Sequence, residues 1–165
     1  MNIEELKVKA ENIVENIKDK GIYLKENTFI DYKLELKLSP NVSNVLIFLR
    51  NFAKDILAFA NKDGGLLLLG FNENKETGEI TDIGLKEDDI NILRAIDLKD
   101  LSDQFVKMFD AQIVVDIHAF NIAARKFYYI LIEKHNSILI PKNDFLDYGL
   151  KKGDIIYRSA GNNLK

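Results

Sequence analysis

Two side chains with a clear capacity for chemistry, the carboxylate of Glu35 and the ammonium of Lys37, lie two positions apart in an alternating segment. In an extended strand, residues at this spacing point to the same face. Such a pair can hold a divalent ion and steady a water molecule or a phosphate oxygen, as metal-assisted phosphodiester cleavage requires. A solvated strand face that carries opposite charges is the structural alternative.

A second group of candidates lies where an apolar helix ends and a buried strand begins, in the segment AFANKDGG at residues 58–65. Asn61 is predicted to end the helix in a left-handed turn. Gly64 and Gly65 allow a tight reversal and let a backbone or a ligand come close. Phosphate-binding loops place their glycines after a strand and before a helix, which is the opposite order. A compact helix-to-strand connection is therefore the alternative interpretation.

Basic residues near the C-terminus form the third group, which consists of Lys151, Lys152 and Arg158. A basic edge there could contact phosphates, and Arg158 could donate a bidentate pair of hydrogen bonds. Surface salt bridges would use the same residue types. His118 and His135 fall in separate elements without the spacing of metal ligands, so ordinary structural roles are predicted for both.

Composition excludes several classes of site. The chain of 165 residues has no cysteine, which excludes disulfides and thiolate chemistry. Its net charge is −3, but the acids concentrate in residues 72–103, which carry −6 and leave the remainder at +3. This distribution is compatible with polyanion binding. The N-terminus lacks the uncharged core of a signal peptide, and no apolar run is long enough to cross a bilayer, so we expect a soluble cytoplasmic protein.

The elements that must position these residues follow from periodicity. Apolar residues at three- and four-residue steps predict helices over 2–20, from Asn41 or Ser43 to Ala60, and around Leu98–Phe109. The apolar run Leu66–Phe71 predicts a strand covered on both faces. The remaining predicted strands are 22–24, 28–38, 80–83, 113–120, 126–133, 138–141 and 155–158. Together they predict one α+β domain with an amphipathic N-terminal helix attached.

The segment KDILAFANKDGGLLLLGFNEN resembles the signature of the Schlafen-type AlbA domain, which is described as DNA-binding. That signature is a helix ending in an AFAN-like stretch, two residues, a glycine pair, an apolar strand, and then a glycine with a polar loop. Leu34–Lys37 resembles the family's strand with its Glu-x-Lys element. Pro141 and residues 153–159 resemble its closing strand. The resemblance covers residues 26–165, leaves the helix and connection of 1–25 outside, and implies a mixed β-sheet flanked by helices.

The resemblance also bears on catalysis, because some animal members are endoribonucleases that use three acids. These members carry a glutamate five positions before the one in Glu-x-Lys, where this chain has Ile30 next to Asp31. Their third acid follows the glycine that ends the apolar strand, and Glu73 is the matching residue. Glu35 and Glu73 are thus the metal ligands that the resemblance implies, with one acid missing. The sequence therefore favours a domain that does not catalyse.

The leading hypothesis is a nucleic-acid-binding domain, non-catalytic or regulatory, without a cofactor. Its predicted contacts are Lys37, Asn61, Gly64, Gly65, Lys151, Lys152 and Arg158. We expect the Asn61 turn, the glycine pair, the strand face of Glu35 and Lys37, and Arg158 to converge on one side of the sheet. The first alternative is an endonuclease with Mg²⁺ or Mn²⁺ at Glu35 and Glu73, assisted by Lys37. Two others are a nucleotide-binding protein, although no GxxxxGK[ST] run is present, and an interaction module in which the N-terminal helix pairs with a second copy.

Overall fold

The computed structural model describes residues 1–159 and 161–164, and within them four α-helices and eight strands form an α+β fold. In chain order the elements are α1 (Ile3–Lys20), β1 (Ile30–Lys33), α2 (Asn44–Ala60), β2 (Gly65–Leu69), β3 (Phe71–Glu73), β4 (Ile80–Asp82), α3 (Glu87–Arg94), α4 (Leu98–Phe109), β5 (Val115–Ile122), β6 (Arg125–Ile132), β7 (Tyr157–Ser159) and β8 (Asn162–Leu164). A short 3-10 helix, Leu146–Tyr148, precedes β7.

The main sheet is mixed, with strand order β1-β2-β6-β5. β1 runs parallel to β2, whereas β6 is antiparallel to both β2 and β5. Two small hairpins, β3–β4 and β7–β8, extend from it. This arrangement confirms the α+β fold with a mixed sheet flanked by helices.

β2 is the strand around which two hydrophobic cores form, and all five of its residues are buried. Leu66 and Leu68 pack into the core that contains α1, while Leu67 and Leu69 pack into the core that contains α2 and α4. Full burial of a leucine side chain stabilises the fold by roughly 1.5–3 kcal/mol. The apolar run was therefore correctly predicted to be a strand covered on both faces.

The N-terminal helix α1 forms as the sequence predicts and covers one face of the sheet. Asn2 caps its start by accepting a hydrogen bond from the Glu5 N–H, and Gly21 ends it with a φ of 62°. Its apolar face is buried with the sheet; the residues are Leu6, Ala10, Ile13, Val14 and Ile17. The chain itself therefore covers the apolar face of α1.

The segment after β1 differs from the prediction. A strand was expected to continue to residue 38, but β1 ends at Lys33. Asn51 on α2 accepts a hydrogen bond from the Lys37 N–H at 2.8 Å and donates one to the Lys37 carbonyl at 3.0 Å. These bonds tie the segment to a helix and not to a neighbouring strand. Alternation of apolar residues was misleading here, because Leu36 is buried whereas Leu34 is exposed.

Several smaller elements also differ. Residues 22–24 and 138–141, predicted as strands, have no regular secondary structure, and α3 was not predicted. Gly70, with a φ of 107°, divides the apolar run into β2 and β3. The closing strand is β7, which pairs with a β8 that the sequence did not suggest. None of the helices within residues 1–159 and 161–164 is long and apolar enough to cross a membrane.

Candidate functional site

The corner between α2 and β2 is a packed part of the core. Asn61 is buried and right-handed, with φ of −83°, and Gly64 takes the left-handed conformation instead, with φ of 75°. The Asn61 side chain accepts a hydrogen bond from the Leu139 N–H at 2.7 Å and donates to the carbonyls of Leu139 and Ile156, both at 2.9 Å. Its amide is fully used in joining distant segments, which corrects its expected contact with nucleic acid.

The glycine pair is required by close approach, but the approaching groups belong to the chain. A Cβ at Gly64 would lie 2.7 Å from the Ile132 carbonyl oxygen. A Cβ at Gly65 would lie 2.2 Å from the Phe59 ring. Both distances are far below contact distance, so the space beside each glycine is filled. The structure therefore places neither glycine in contact with a ligand.

Arg158 is also buried, with 1% of its side chain exposed. Its guanidinium donates to the carbonyls of Asn27 and Ile30, both at 3.2 Å, to Asp31 Oδ2 at 3.3 Å and to Asn163 Oδ1 at 3.1 Å. Burial lowers the pKa of Arg158 below its usual range, and nearby carboxylates oppose that shift. These contacts attach the β7–β8 hairpin to β1. These four hydrogen bonds occupy donors that the sequence assigned to a phosphate.

The three residues predicted for catalysis do not meet. Glu35 is exposed and pairs with Lys86, with 2.9 Å between Oε2 and Nζ, in a depression that Glu73 does not line. Lys37 is exposed beside α2. Lys151 and Lys152 are exposed in the turn that precedes β7. Of the residues expected on one side of the sheet, Asn61, the glycine pair and Arg158 cluster near Phe59, whereas Glu35 lies in this separate depression.

A different set of charged residues converges in a cleft of about 420 Å³ that β1, β3 and the β7–β8 hairpin border. Its charged lining consists of Glu26, Asp31, Lys33, Asp55, Glu73, Lys75 and Arg158. Local hydrogen bonds position Glu26, the first residue of this lining. Asn27 accepts hydrogen bonds from the N–H groups of Phe29 and Ile30, and Glu26 Oε2 accepts one from the Tyr32 N–H at 3.0 Å. The turn before β1 therefore holds Glu26 over the strand.

Glu26, Glu73 and Lys75 form one hydrogen-bonded group in this cleft. Lys75 Nζ lies 3.2 Å from Glu26 Oε1 and 2.9 Å from Glu73 Oε1. Burial and the hydrogen bond with Glu26 raise the pKa of Glu73. Burial also acts to raise the pKa of Glu26, but hydrogen bonds from Glu73, the Tyr32 N–H and Lys75 outweigh it and lower that pKa.

The other two carboxylates of the cleft are also neutralised within the chain. Lys33 Nζ lies 3.6 Å from Asp31 Oδ2 and 3.5 Å from Asp55 Oδ2. Asn163 donates a hydrogen bond to Asp55 Oδ1 at 2.8 Å, and Arg158 pairs with Asp31. Across residues 1–159 and 161–164, no three side chains of the metal-binding types are grouped so that they could hold an ion. The cleft is thus nearly charge-balanced as it stands.

The sequence contains a spacing pattern that indicates this cleft. Matching the family's Glu-x-Lys element by residue type alone does not find it. Glu26 stands five positions before Asp31, and Lys33 follows at the second position after it. This is the spacing of the resembled family, with an aspartate in place of the second glutamate. Glu35 and Lys37 match the family's Glu-x-Lys element by residue type and were predicted for that reason. The structure puts Asp31 and Lys33 on β1 and Glu26 in the turn before it, and only this earlier set shares a cleft with Glu73.

Comparison with known proteins gives a family and a fold. A family model described as Schlafen, AlbA_2 matches residues 26–165. The DIP2311 protein from Corynebacterium diphtheriae is similar in structure, with a TM-score of 0.55 and 20% identity, over 98% of this chain and 30% of the other. A second similar structure is the N-terminal domain of a RecG-related protein from Nitrosomonas europaea, which is named for ATP-dependent DNA helicases. It gives a TM-score of 0.50 and 20% identity, over 94% of this chain and 91% of that domain. No curated protein matches the sequence.

Proposed function

The chain belongs to the Schlafen AlbA_2 family, and from this premise we propose that it is a nucleic-acid-binding domain that does not itself catalyse. The match over residues 26–165 is the observation that carries the proposal, because the resembled family is described as DNA-binding. The structural neighbour named for DNA helicases agrees with it. A cytoplasmic location is part of the same proposal. Because this chain spans only 30% of the Corynebacterium protein, the proposal concerns a domain and not that whole protein.

The charges of the cleft support binding without cleavage. Lys33, Lys75 and Arg158 are all engaged with carboxylates, so the cleft offers little free positive charge to a phosphate. Phosphate contacts need exposed cations, which supply most of the affinity in such complexes. Exposed basic side chains occur on other parts of the surface; examples are Lys62, Arg94, Lys151 and Lys152. Binding is thus expected at surfaces outside the cleft.

A direct binding titration tests this proposal. Fluorescence anisotropy of labelled single- and double-stranded DNA and RNA should show association at about 50 mM salt that weakens strongly at about 200 mM, because each phosphate contact releases counterions. Absence of binding to all four ligands at the lower salt concentration would refute the proposal. A dissociation constant that does not change with salt would count against phosphate recognition.

Metal-dependent phosphodiester cleavage is the second candidate, and the convergence of Glu26, Asp31, Glu73 and Lys33 in one cleft favours it. Carboxylate oxygens are suitable ligands for Mg²⁺. Their present arrangement does not fit such an ion, because the Lys75 ammonium lies between Glu26 and Glu73 and the donors of Arg158 and Lys33 hold Asp31. We therefore rank this function below binding alone.

Incubation with labelled RNA and DNA in Mg²⁺ or Mn²⁺ separates the two candidates. We expect intact nucleic acid, since the carboxylates are already paired within the chain. If cleavage occurs, Glu26→Gln and Glu73→Gln should abolish it, whereas Glu35→Gln should retain it. Glutamine at position 26 keeps an oxygen that can accept from the Tyr32 N–H, so the turn should survive. Cleavage that depends on Glu35 and not on Glu26 would restore the assignment made from the sequence.

A further inference from the structure

Two further depressions follow one another along the surface, beginning at the edge of the cleft. Leu34 lines both the cleft and the first depression, which also contains Lys86. The segment Ile83–Leu85 lines both the first and the second depression. Because the two depressions share these three residues, they form one groove, which begins at the edge of the cleft and ends at the start of β6.

The far end of this groove is basic. Its charged lining consists of Arg94, Arg125 and Lys126 against one acid, Glu87. Within the described part of the chain, neither Arg94 nor Lys126 forms an ion pair. Arg94 and Lys126 can therefore contact the phosphates of a nucleic-acid backbone, which proteins bind through Lys and Arg side chains. We call Arg94, Arg125 and Lys126 the basic end.

The basic end is held in place by the backbone around it. Arg125 Nη2 lies 2.8 Å from Asp82 Oδ2, and Nη1 donates to the Asp82 carbonyl. A guanidinium has five N–H donors, so three remain for a ligand. Gly84 has a φ of 92°, and a Cβ there would lie 3.0 Å from Arg125 Cβ. The Leu85 N–H donates to the Lys126 carbonyl at 2.9 Å, which fixes this loop against β6.

The middle of the groove combines exposed apolar side chains with the charged residues Glu35, Lys86 and Asp89. Leu34 and Ile83 are 37% and 49% exposed, respectively, although both are large hydrophobic residues. Exposed apolar side chains can pack against the faces of unstacked nucleic-acid bases. A duplex hides those faces in its stack, whereas a single strand offers them. The combination therefore fits an unpaired strand.

We propose that this groove binds a single-stranded nucleic acid. Its phosphates lie against the basic end, and its bases lie over Leu34 and Ile83. The inference rests on the proposed nucleic-acid-binding function and names the ligand class and the contact surface for it. DNA and RNA share the phosphodiester and base chemistry that the groove would recognise, so the test includes both.

Removal of two free cations tests the basic end. The double variant Arg94→Gln/Lys126→Gln should bind labelled mixed-sequence single-stranded DNA and RNA more weakly in anisotropy titrations. The slope of log affinity against log salt concentration should fall by about 1.4, since each lost phosphate contact removes about 0.7. Lys18→Gln with Lys20→Gln, which changes two exposed lysines at the end of α1, makes the same change in net charge. In that control, the affinity and the salt slope should both stay near those of the parent.

A second variant tests the proposed contact of the bases with Leu34 and Ile83. Leu34→Ser with Ile83→Ser should weaken binding of the single strands and leave the salt slope unchanged, because no ionic contact is removed. Failure of the parent protein to bind any oligonucleotide at low salt would refute the proposed function itself. Binding by the parent with an unchanged slope in the Arg94 and Lys126 variant would overturn the groove alone. Equal affinity for a duplex of the same sequence would overturn the assignment to single strands.

Discussion

Arg158→Ala is expected to destabilise the fold by about 3–5 kcal/mol, because it breaks a buried ion pair and leaves Asp31 with only the more distant ammonium of Lys33, at 3.6 Å. Arg158 pairs with Asp31, of which 9% of the side chain is exposed, and also donates to the Ile30 carbonyl and to Asn163. Its guanidinium carbon lies 4.8 Å from the centroid of the Phe59 ring, which adds a cation–π contact. The loss should be visible as a lower midpoint in urea unfolding followed by circular dichroism.

An exposed arginine provides the matched control for this variant. Arg50 Nη2 lies 3.4 Å from Asp147 Oδ2, and 34% and 75% of the two side chains are exposed. Arg50→Ala should therefore cost about 1 kcal/mol or less. If Arg158→Ala does not fold, Arg158→Lys keeps the charge but not the planar fork, and its unfolding can be measured instead. Stability equal to that of the parent, together with weaker nucleic-acid binding, would restore the phosphate-contact role that the sequence suggested.

Gly65→Val is expected to have the second large effect, through overpacking. A Cβ at this position would lie 2.2 Å from Cδ1 and 2.5 Å from Cε1 of Phe59, and 2.7 Å from the Phe29 carbonyl oxygen. That carbonyl accepts the Leu66 N–H at 2.8 Å, so the backbone has little freedom to move. Overpacking of this kind typically costs about 1–3 kcal/mol, and we expect valine to reach or exceed about 3 kcal/mol. Thermal unfolding measures the loss.

The cause of that loss can be separated from backbone strain. Gly65 does not have a positive φ, so backbone strain from a left-handed conformation does not contribute at this residue. Gly78 has a φ of 74° and would meet no atom within 4 Å. Gly78→Ala should therefore cost only the left-handed penalty of about 1–2 kcal/mol. A combined Gly65→Ala and Phe59→Leu variant should cost less than the sum of the two single changes; additive losses would argue against the steric explanation.

The helices and buried strands could be predicted because their signals are local. Apolar spacing in α1 and α2, the caps at Ser43 and Gly21, and the apolar run of β2 depend only on neighbouring residues. The predictions failed where a segment distant in the sequence takes the backbone hydrogen bonds that a neighbouring strand was expected to make. The alternating stretch after Lys33 leaves the sheet because Asn51, on α2, binds the backbone of Lys37. Periodicity in one segment carries no information about such a partner.

For the candidate site, the sequence by itself determined which residue types were present, together with the spacing of Glu26, Asp31 and Lys33. Only the tertiary structure decided which of the polar residues are buried. Arg158 and Asp31 are 127 positions apart, and Asn61 and Leu139 are 78 apart, yet each pair is hydrogen-bonded in the interior. A polar side chain that leaves water must find its partners inside the protein, and those partners come from wherever the fold places them. For that reason Asn61 and Arg158 hold the structure together.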